Sequence, residues 1–328
     1  MNAQALCEAL RASRGFAHKR DISDVMRRLH PVLPAGITVG DDCAAIPDGD
    51  GQLLFAIEGF VEDFVERMPW FAGYCGVMVN VSDVYAMGGR PLAVVDALWS
   101  AGAEAGARVL DGMAEASRRY GVPIVGGHSN LKAAKGQLAV AVVGRARSLL
   151  SSFTARPGDA LLMAVDLRGA WQEPYPYWNA STAAPAERLR ADLELLPALA
   201  EEGLCDAAKD ISMAGAVGTA LMLLEGSRVG ARVDIDAMPR PGTTDFADED
   251  ALLRWLCAFP SYGFVLSVRP ARADDVLRRF QARGIATAVV GEVHAGPQVV
   301  LRHRGEEAVL WDLAATPFIA AGEGAGRG

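Results

Sequence analysis

Residues 80–91 of this chain read NVSDVYAMGGRP, and they place polar side chains inside an apolar helical segment. Asn80 and Asp83 stand among valines and methionines typical of a buried helix, which the Gly-Gly-Arg-Pro sequence ends. A buried carboxylate without a partner costs folding free energy. Asn80 and Asp83 are therefore either satisfied by the core around them or available to a ligand, and the sequence leaves both interpretations open.

The segments around residues 80–91 predict a mixture of helices and strands. Hydrophobic spacing and turn residues define each of these elements. The main predicted elements are helices within the first 30 residues, strands at 52–57, 92–98 and 137–144, and helices at 103–120 and 185–202.

A domain boundary is predicted near residue 150. The turn signal at 156–159 precedes a new strand at 160–165. We expect two α+β domains, residues 1–150 and 151–328, with a disordered tail at 320–328.

The composition is that of a folded, acidic protein. The 328 residues carry a net charge of −8, with 51% hydrophobic and 22% charged residues, close to the globular average. No segment concentrates Lys and Arg, so we expect no nucleic-acid partner. The longest apolar runs are shorter than the ~20 residues that span a bilayer, so we expect no membrane partner either.

The cysteines give no sign of a metal site or a disulfide framework. The five are Cys7, Cys43, Cys75, Cys205 and Cys257. Their number is odd and no pair has CxxC spacing. Reduced cysteines and a cytoplasmic location are expected.

Familiar nucleotide-binding signatures are missing, and short acidic or glycine-bearing turns stand in their place. There is no GxxxxGK[ST] phosphate loop, no GxGxxG after a strand and no nucleophile elbow. The turns lie at residues 40–42, 58–59, 80–83, 126–128 and 209–212. Carboxylate oxygens from separate segments suit Mg²⁺, which leaves positions for water and phosphate oxygens. Apart from residues 80–83, which lie within the apolar helical segment, each of these by itself is at least as compatible with a plain turn or a helix cap.

The order of these turns carries a family resemblance. The series is Asp41-Asp42, Glu58, the block at 80–91, Gly126-Gly127-His128, Arg-Pro-Gly-Asp at 156–159, and Asp210-Ile211-Ser212. This series resembles the aminoimidazole ribonucleotide (AIR) synthetase superfamily over about residues 20–312. Within it, the chain is most similar to thiamine-monophosphate kinase and to AIR synthase-related proteins.

The resemblance implies a two-domain AIR synthetase-like fold of the α+β class. Its N-terminal sheet domain would pair with a second copy to form a dimeric β-barrel, and a C-terminal α+β domain would follow. The three predicted strands of the first half are apolar over most of their length, which also favours burial of both sheet faces. We therefore expect a homodimer formed through the N-terminal domain.

The resemblance also assigns ligands and site residues by position. It implies ATP bound together with Mg²⁺. Four carboxylates match metal ligands: Asp42, Glu58, Asp83 and Asp210. Six residues match positions near the nucleotide: Asp41, Asn80, Ser82, Gly127, His128 and Ser212. Asp41 is either an additional ligand or a residue that supports the ligands.

Several positions depart from the thiamine-monophosphate kinase pattern. His128 replaces an Asp, Ser152 an Arg and Met213 an Asp, and an acidic pair near residues 260–262 is missing. The residues that would contact the nucleotide are mostly kept, whereas those that would contact thiamine monophosphate are lost. We therefore do not expect the chain to be a thiamine-monophosphate kinase. Selenophosphate synthesis is not expected either, because the N-terminal region has no reactive Cys with an adjacent Lys.

The expected function is therefore an ATP- and Mg²⁺-dependent enzyme, a kinase- or synthetase-like transferase acting on an unidentified small molecule. It would transfer a phosphoryl group to that molecule or activate it through phosphorylation. Positioning and metal electrostatics supply most of the catalysis in such reactions, so no protein nucleophile is needed. The alternative is a non-catalytic nucleotide- or metabolite-binding protein of the same fold.

An aromatic segment at residues 171–178 is a candidate for substrate specificity. It reads WQEPYPYW and holds four of the twelve Trp and Tyr residues of the chain. Such residues form either a pocket wall or a loop packed over the second domain's core.

Overall fold

The computed structural model describes residues 1–29, 32–33 and 38–322, which fold as helices and strands in irregular alternation. The helices in these ranges are α1 (Ala3–Ala12), α2 (Arg14–Leu29), α3 (Glu62–Arg67), α4 (Pro69–Ala86), α5 (Ala103–Tyr120), α6 (Ala186–Leu193), α7 (Leu195–Glu201), α8 (Gly215–Ser227), α9 (Glu249–Leu256) and α10 (Pro270–Ala282). The strands are β1 (Ala44–Asp48), β2 (Gly51–Phe60), β3 (Arg90–Trp99), β4 (Ile124–Asn130), β5 (Gln137–Ala146), β6 (Ala160–Val165), β7 (Ala170–Gln172), β8 (Tyr177–Asn179), β9 (Ala207–Asp210), β10 (Gly230–Asp234), β11 (Gly263–Val268), β12 (Ala286–His294), β13 (Gln298–His303) and β14 (Glu306–Asp312).

Most predicted elements of the first half are confirmed, and one helix of the second half is corrected. Helix α5 has the predicted bounds, and β2, β3 and β5 contain the predicted strands. The helix predicted at 185–202 is instead two helices, α6 and α7, with Glu194 between them. Pro197 explains the break, because its ring would clash with the carbonyl of Leu193 and it has no N–H to donate.

The described residues divide into two compact units. The N-unit consists of Asp42–Ser148 and Ala184–Ala198, and the C-unit consists of Met1–Asp41, Leu149–Ala183 and the chain from Leu199 onward. The break after residue 148 lies beside the predicted boundary near 150. The first 41 residues, however, belong with the C-unit rather than with the N-terminal half.

The placement of the N-terminal helices follows from their apolar faces. Leu6 and Leu10 of α1 and Phe16 of α2 are fully buried in the core of the C-unit. The ring of Phe16 lies 5.3 Å from that of Phe318 and 6.5 Å from that of Trp311. The helical periodicity predicts these helices, but it does not show which core they cover.

The N-unit is built on a five-stranded sheet with the order β1-β2-β5-β3-β4. Strands β3 and β4 are parallel, and the other neighbours are antiparallel. Helices α4 and α5 pack closely because glycines meet the facing backbone. A Cβ at Gly73 of α4 would lie 1.9 Å from the carbonyl oxygen of Val109 of α5.

The two faces of this sheet differ in exposure. Val140 and Val142 of β5 are fully buried on the side covered by α4. On the opposite side, Ile57 of β2 and Val95 of β3 flank Ala141 of β5. Phe55 and Ile57 are 51% and 65% exposed. The described N-unit therefore presents an apolar sheet face, which we call the outer face, made by residues of β2, β3 and β5.

The C-unit is built on a seven-stranded sheet with the order β14-β13-β10-β12-β6-β11-β9. Strands β6 and β11 are almost completely buried, which explains their nearly continuous apolar sequence. Strand β9 lies at the edge of the sheet and pairs with β11 from Asp210↔Phe264 to Ala207↔Ser267. Strands β7 and β8 form a separate hairpin within the aromatic segment.

The end of the described chain is packed rather than disordered. Ala320 and Ala321 are buried, and the Gly322 N–H donates a hydrogen bond to the Val39 carbonyl at 3.0 Å. The tail predicted to be disordered therefore does not begin at residue 320. Its remaining part, residues 323–328, lies outside the described residues.

None of the described helices combines the length and the hydropathy needed to cross a membrane.

Candidate functional site

Two predicted metal ligands lie next to each other in the N-unit. The carboxylates of Asp42 and Asp83 each place an oxygen within 4.8 Å of the other. Asp83 is buried in the last turns of α4, and Asp42 directly precedes the residues that lead into β1. Two negative charges at this distance repel, and the C-terminal end of a helix adds negative potential. This part of the N-unit therefore favours a bound cation.

Buried polar oxygens of α4 lie close in sequence to Asp83. The Asn80 side-chain N–H donates to the Gly76 carbonyl at 2.8 Å. The Asn80 Oδ1 and Ser82 Oγ atoms are buried without a hydrogen-bond partner in the described part of the chain. Because such atoms cost free energy when unsatisfied, they are the expected contacts of a polar ligand. The core thus satisfies only part of the Asn80 amide.

The carboxylate of Glu58 lies on β2 and is exposed. It pairs in register with Val140 and is not part of the carboxylate group that contains Asp42 and Asp83 among the described residues. Glu58 therefore lies outside the group of described carboxylates whose oxygens are all within 4.8 Å of one another. On the other side of Val140 in the same sheet lies Asp96 of β3.

Asp96 is a candidate that the sequence reasoning missed. Its Oδ2 is buried without a hydrogen-bond partner in the described residues. Burial raises the pKa of the Asp96 carboxyl above its ordinary value, and a hydrogen bond from its own backbone opposes this only in part. The available signal was a single carboxylate within the apolar strand sequence LAVVDALW. An ionisable group kept in such a place is a candidate for function.

The Gly-Gly-His sequence, predicted as a turn, lies instead within strand β4. Gly127 pairs in register with Asp96 and His128 with Ala97, so the two neighbours alternate across the sheet. The His128 ring lies 6.1 Å from that of Trp99, which belongs to the outer-face side. The resemblance places both residues near the nucleotide, and only Gly127 lies on the same face as Asp96.

In the C-unit, Asp210 ends β9 and Ser212 lies between β9 and α8. Asp210 is buried at the end of β9, and the Thr219 hydroxyl donates to its carbonyl oxygen at 3.2 Å. Ser212 precedes α8, which begins at Gly215. The N-terminus of a helix favours anions because its backbone N–H groups have no partner within the helix.

Asp41 occupies a different environment from Asp42. Its side chain is 2% exposed. Both of its oxygens accept hydrogen bonds from Ser151 or Ser152, at 2.6 to 3.0 Å. This burial argues against a direct nucleotide contact for Asp41 and favours the supporting role.

The aromatic segment is partly core. Trp178 is buried, and its indole N–H donates to the Asp166 carbonyl at 2.9 Å. Trp171 packs edge-on against Trp178 and Trp255, with ring centres 5.3 and 6.1 Å apart. Tyr175 and Tyr177 stack on each other at 4.9 Å and are only half-buried. The tryptophans therefore pack the C-unit, and the tyrosines remain the accessible part of the segment.

Four of the five cysteines are poorly suited to act as nucleophiles. Burial raises the pKa of the thiols of Cys7, Cys75 and Cys257, and that of Cys205 to about 12. A thiol reacts as its thiolate, which is scarce at neutral pH when the pKa is raised.

Comparisons with known families match both halves of the chain. A model described as AIR synthase related protein, N-terminal domain, matches residues 40–146, and the corresponding C-terminal domain model matches residues 159–304. The chain is 46% identical over 313 residues to an uncharacterized protein of Synechocystis sp., covering 94% of this chain and 95% of that protein. The selenide, water dikinase of Aeromonas hydrophila is 27% identical over 285 residues, covering 80% of this chain and 79% of the dikinase.

Solved structures share the fold. T. maritima PurL complexed with ATP has a TM-score of 0.71 and 22% identity over 95% of this chain, which spans 52% of the PurL chain. AaThiL complexed with AMPPCP and TMP has a TM-score of 0.67 and 20% identity, covering 87% of this chain and 93% of AaThiL. The chain thus spans about half the length of PurL and nearly all of AaThiL. These likenesses confirm the two-domain α+β fold that the sequence predicts.

Proposed function

The chain belongs to the AIR synthase related family, and on that premise we propose that it uses ATP and Mg²⁺ to phosphorylate a small molecule. The product is either a phosphorylated compound or an intermediate activated through phosphorylation. The names of its relatives support an ATP-dependent reaction: they include selenide, water dikinase and structures of PurL with ATP and of AaThiL with AMPPCP.

The observation that carries the proposal is the Asp42–Asp83 pair, together with the unsatisfied oxygen of Asn80, which precedes Asp83 by three residues on α4. Mg²⁺ prefers oxygen ligands at about 2.0–2.1 Å, so two ligands of one ion lie within about 4.2 Å of each other. The carboxylates lie within 4.8 Å, so small side-chain rotations suffice. These residues therefore fit a Mg²⁺ ion.

We propose Asp42, Asp83 and Asp210 as the metal ligands, with Glu58 as a further ligand. Asn80 and Ser82 would donate to or accept from the nucleotide and its water shell. The peptide N–H groups near Gly127 and at the start of α8, beside Ser212, would hold phosphate oxygens. His128 remains a proposed nucleotide contact by resemblance. When bound, Mg²⁺ neutralises charge on the phosphate oxygens.

The acceptor is proposed to be a small molecule other than thiamine monophosphate. Met213 and residues 260–262 lack the acidic groups of the thiamine-monophosphate kinase pattern. A site that loses hydrogen-bonding partners can lose several orders of magnitude in discrimination for the original substrate. The half-buried tyrosines Tyr175 and Tyr177 are the proposed aromatic contacts of the new substrate.

A homodimer through the outer face of the N-unit is also proposed. Ile57 and Phe55 of β2 and Val95 of β3 are exposed on the same face of the sheet, with β5 between the two strands. An apolar sheet face of this kind is usually buried against a second layer. The same face of a second copy would close a barrel with two-fold symmetry. A cytoplasmic location is proposed in addition, since all five cysteines are free thiols.

Calorimetry with AMPPCP, with and without Mg²⁺, tests the nucleotide site. We expect binding that strengthens at least about tenfold with Mg²⁺, and release of ADP from ATP when a suitable acceptor is added. Binding without turnover on amide, carboxylate and phosphate acceptors would favour the non-catalytic alternative. No binding at millimolar nucleotide would exclude both. Efficient phosphorylation of thiamine monophosphate would show that the substrate assignment is wrong.

A further inference from the structure

Asp41 and Lys209 form a buried ion pair in the C-unit. Lys209 Nζ lies 3.8 Å from Asp41 Oδ1, and the two side chains are 4% and 2% exposed. Charged side chains are buried to this degree almost only when they are paired. Because a buried pair is often no more stable than a well-packed hydrophobic replacement, stability alone does not account for this one.

Hydrogen bonds fix the orientation of the Asp41 carboxylate. Ser152 donates to Oδ1 through its hydroxyl at 2.6 Å and to Oδ2 through its backbone N–H at 2.9 Å. The Ser151 hydroxyl donates to Oδ2 at 3.0 Å. The carboxylate therefore joins three segments of the C-unit: the end of its first segment, the loop at 151–152 and strand β9.

Each partner of the pair immediately precedes a proposed metal ligand. Asp41 precedes Asp42, and Lys209 precedes Asp210. Consecutive Cα atoms are 3.80 Å apart, so fixing one residue restricts the backbone position of the next. Lys209 and Asp210 extend to opposite faces of β9, because side chains alternate along a strand. Lys209 thus holds the strand from the side away from the proposed ligand.

We propose that the Asp41–Lys209 pair is a positioning device for the metal ligands Asp42 and Asp210. The pair and the two serines hold the backbone beside both ligands before the metal arrives, which lowers the cost of organising the ligands. This inference rests on the proposed function, since it requires that Asp42 and Asp210 bind the metal. It also gives a role to Ser152, which replaces an Arg in the thiamine-monophosphate kinase pattern.

The test is Mn²⁺ binding, measured by electron paramagnetic resonance in the presence of AMPPCP, for the native chain and for Asp41→Asn/Lys209→Met. The double variant removes both buried charges together, so neither is left without its partner. We expect a folded protein whose Mn²⁺ affinity falls at least about tenfold, as is typical when groups that support metal ligands are removed. Binding of AMPPCP without metal should change by less than about twofold.

A matched control separates positioning from the general loss of an ion pair. Asp166→Asn/Arg168→Gln removes another ion pair of the C-unit, 2.7 Å long, which adjoins no proposed ligand. It should leave the Mn²⁺ affinity unchanged. If Asp41→Asn/Lys209→Met fails to fold, Ser152→Ala removes one hydrogen bond and should weaken Mn²⁺ binding about threefold.

The outcomes distinguish the two proposals. If the native chain shows no metal-dependent nucleotide binding, the proposed function is wrong and the positioning role falls with it. If the native chain binds Mn²⁺ and the folded double variant binds it equally well, only the positioning role is overturned. If the double variant does not fold, unchanged Mn²⁺ binding by Ser152→Ala likewise overturns the positioning role.

Discussion

Asp96 of β3 and Gly127 of β4 are register partners, and a Cβ at position 127 would lie 2.2 Å from Asp96 Oδ1. Glycine at 127 is therefore required for the Asp96 carboxylate to occupy its position. The resemblance assigns Gly127 to the nucleotide site. The structure shows in addition that a side chain at position 127 would collide with the Asp96 carboxylate. The Gly-Gly-His sequence of β4 thus lies against a carboxylate that no sequence motif marks.

Asp96→Asn should make the protein more stable at neutral pH and remove part of its pH dependence. Because the folded-state pKa of Asp96 is raised, its stabilising contribution is complete below the ordinary Asp pKa of about 3.9 and is lost as the pH rises through the folded-state value. Urea denaturation at pH 4 and pH 8 measures this. The gain should be larger at pH 8.

An equal effect of Asp96→Asn at both pH values would show that the carboxyl titrates normally. The matched control is Asp111→Asn, since Asp111 is exposed on α5 of the same unit. It should leave the free energy of unfolding within about 0.5 kcal/mol of the native value at either pH.

Asp83→Asn should weaken Mg²⁺-dependent AMPPCP binding at least about tenfold with little loss of stability. The substitution removes one ligand charge at nearly constant volume and relieves repulsion with Asp42. Calorimetry gives the affinity, and thermal unfolding without metal gives the stability. Unchanged Mg²⁺-dependent affinity would show that the metal assignment is wrong.

Ile57→Asp should prevent dimer formation through the outer face. The charge would be desolvated between two sheets if the proposed barrel forms, whereas in a single chain the residue is 65% exposed. Light scattering should give about twice 34.7 kDa for the native chain, and monomer or aggregate for the variant. Leu110→Asp, an exposed apolar position on α5, is the matched control and should remain dimeric.

A native chain that stays monodisperse at 34.7 kDa at micromolar concentration would contradict the dimer. Charged substitutions at Val140 and Val142 cannot test the dimer, although the apolar sequence of β5 makes both residues candidates for the outer face. Both face the helices, so a charge there disrupts the core of the N-unit itself.

Trp178→Ala should destabilise the protein by about 3–5 kcal/mol, because a buried indole is replaced by a cavity. Tyr175→Ala, in the accessible part of the same segment, should change the free energy of unfolding by less than about 1 kcal/mol. Urea denaturation measures both. A stable Trp178→Ala protein that has lost only substrate turnover would assign Trp178 to the substrate site instead.

The local elements of the fold could be predicted from the sequence. Helix α5 has an apolar periodicity and a glycine just after its end, so its bounds follow from residues close in the chain. The polar residues of NVSDVYAMGGRP stand out because an apolar helix does not tolerate them without a reason. This is why Asn80 and Asp83 could be singled out before any tertiary contact was known.

The tertiary structure alone decided which residues meet and which face each one takes. Ser152 and Lys209 lie 111 and 168 positions after Asp41, and nothing in their local sequence indicates that both contact its carboxylate. The faces of Gly127 and His128 depend on the pairing register of β4 with β3. Periodicity reports that a side chain is buried, but the partner that satisfies its charge is fixed by packing between distant segments, and such contacts leave no local pattern in the sequence.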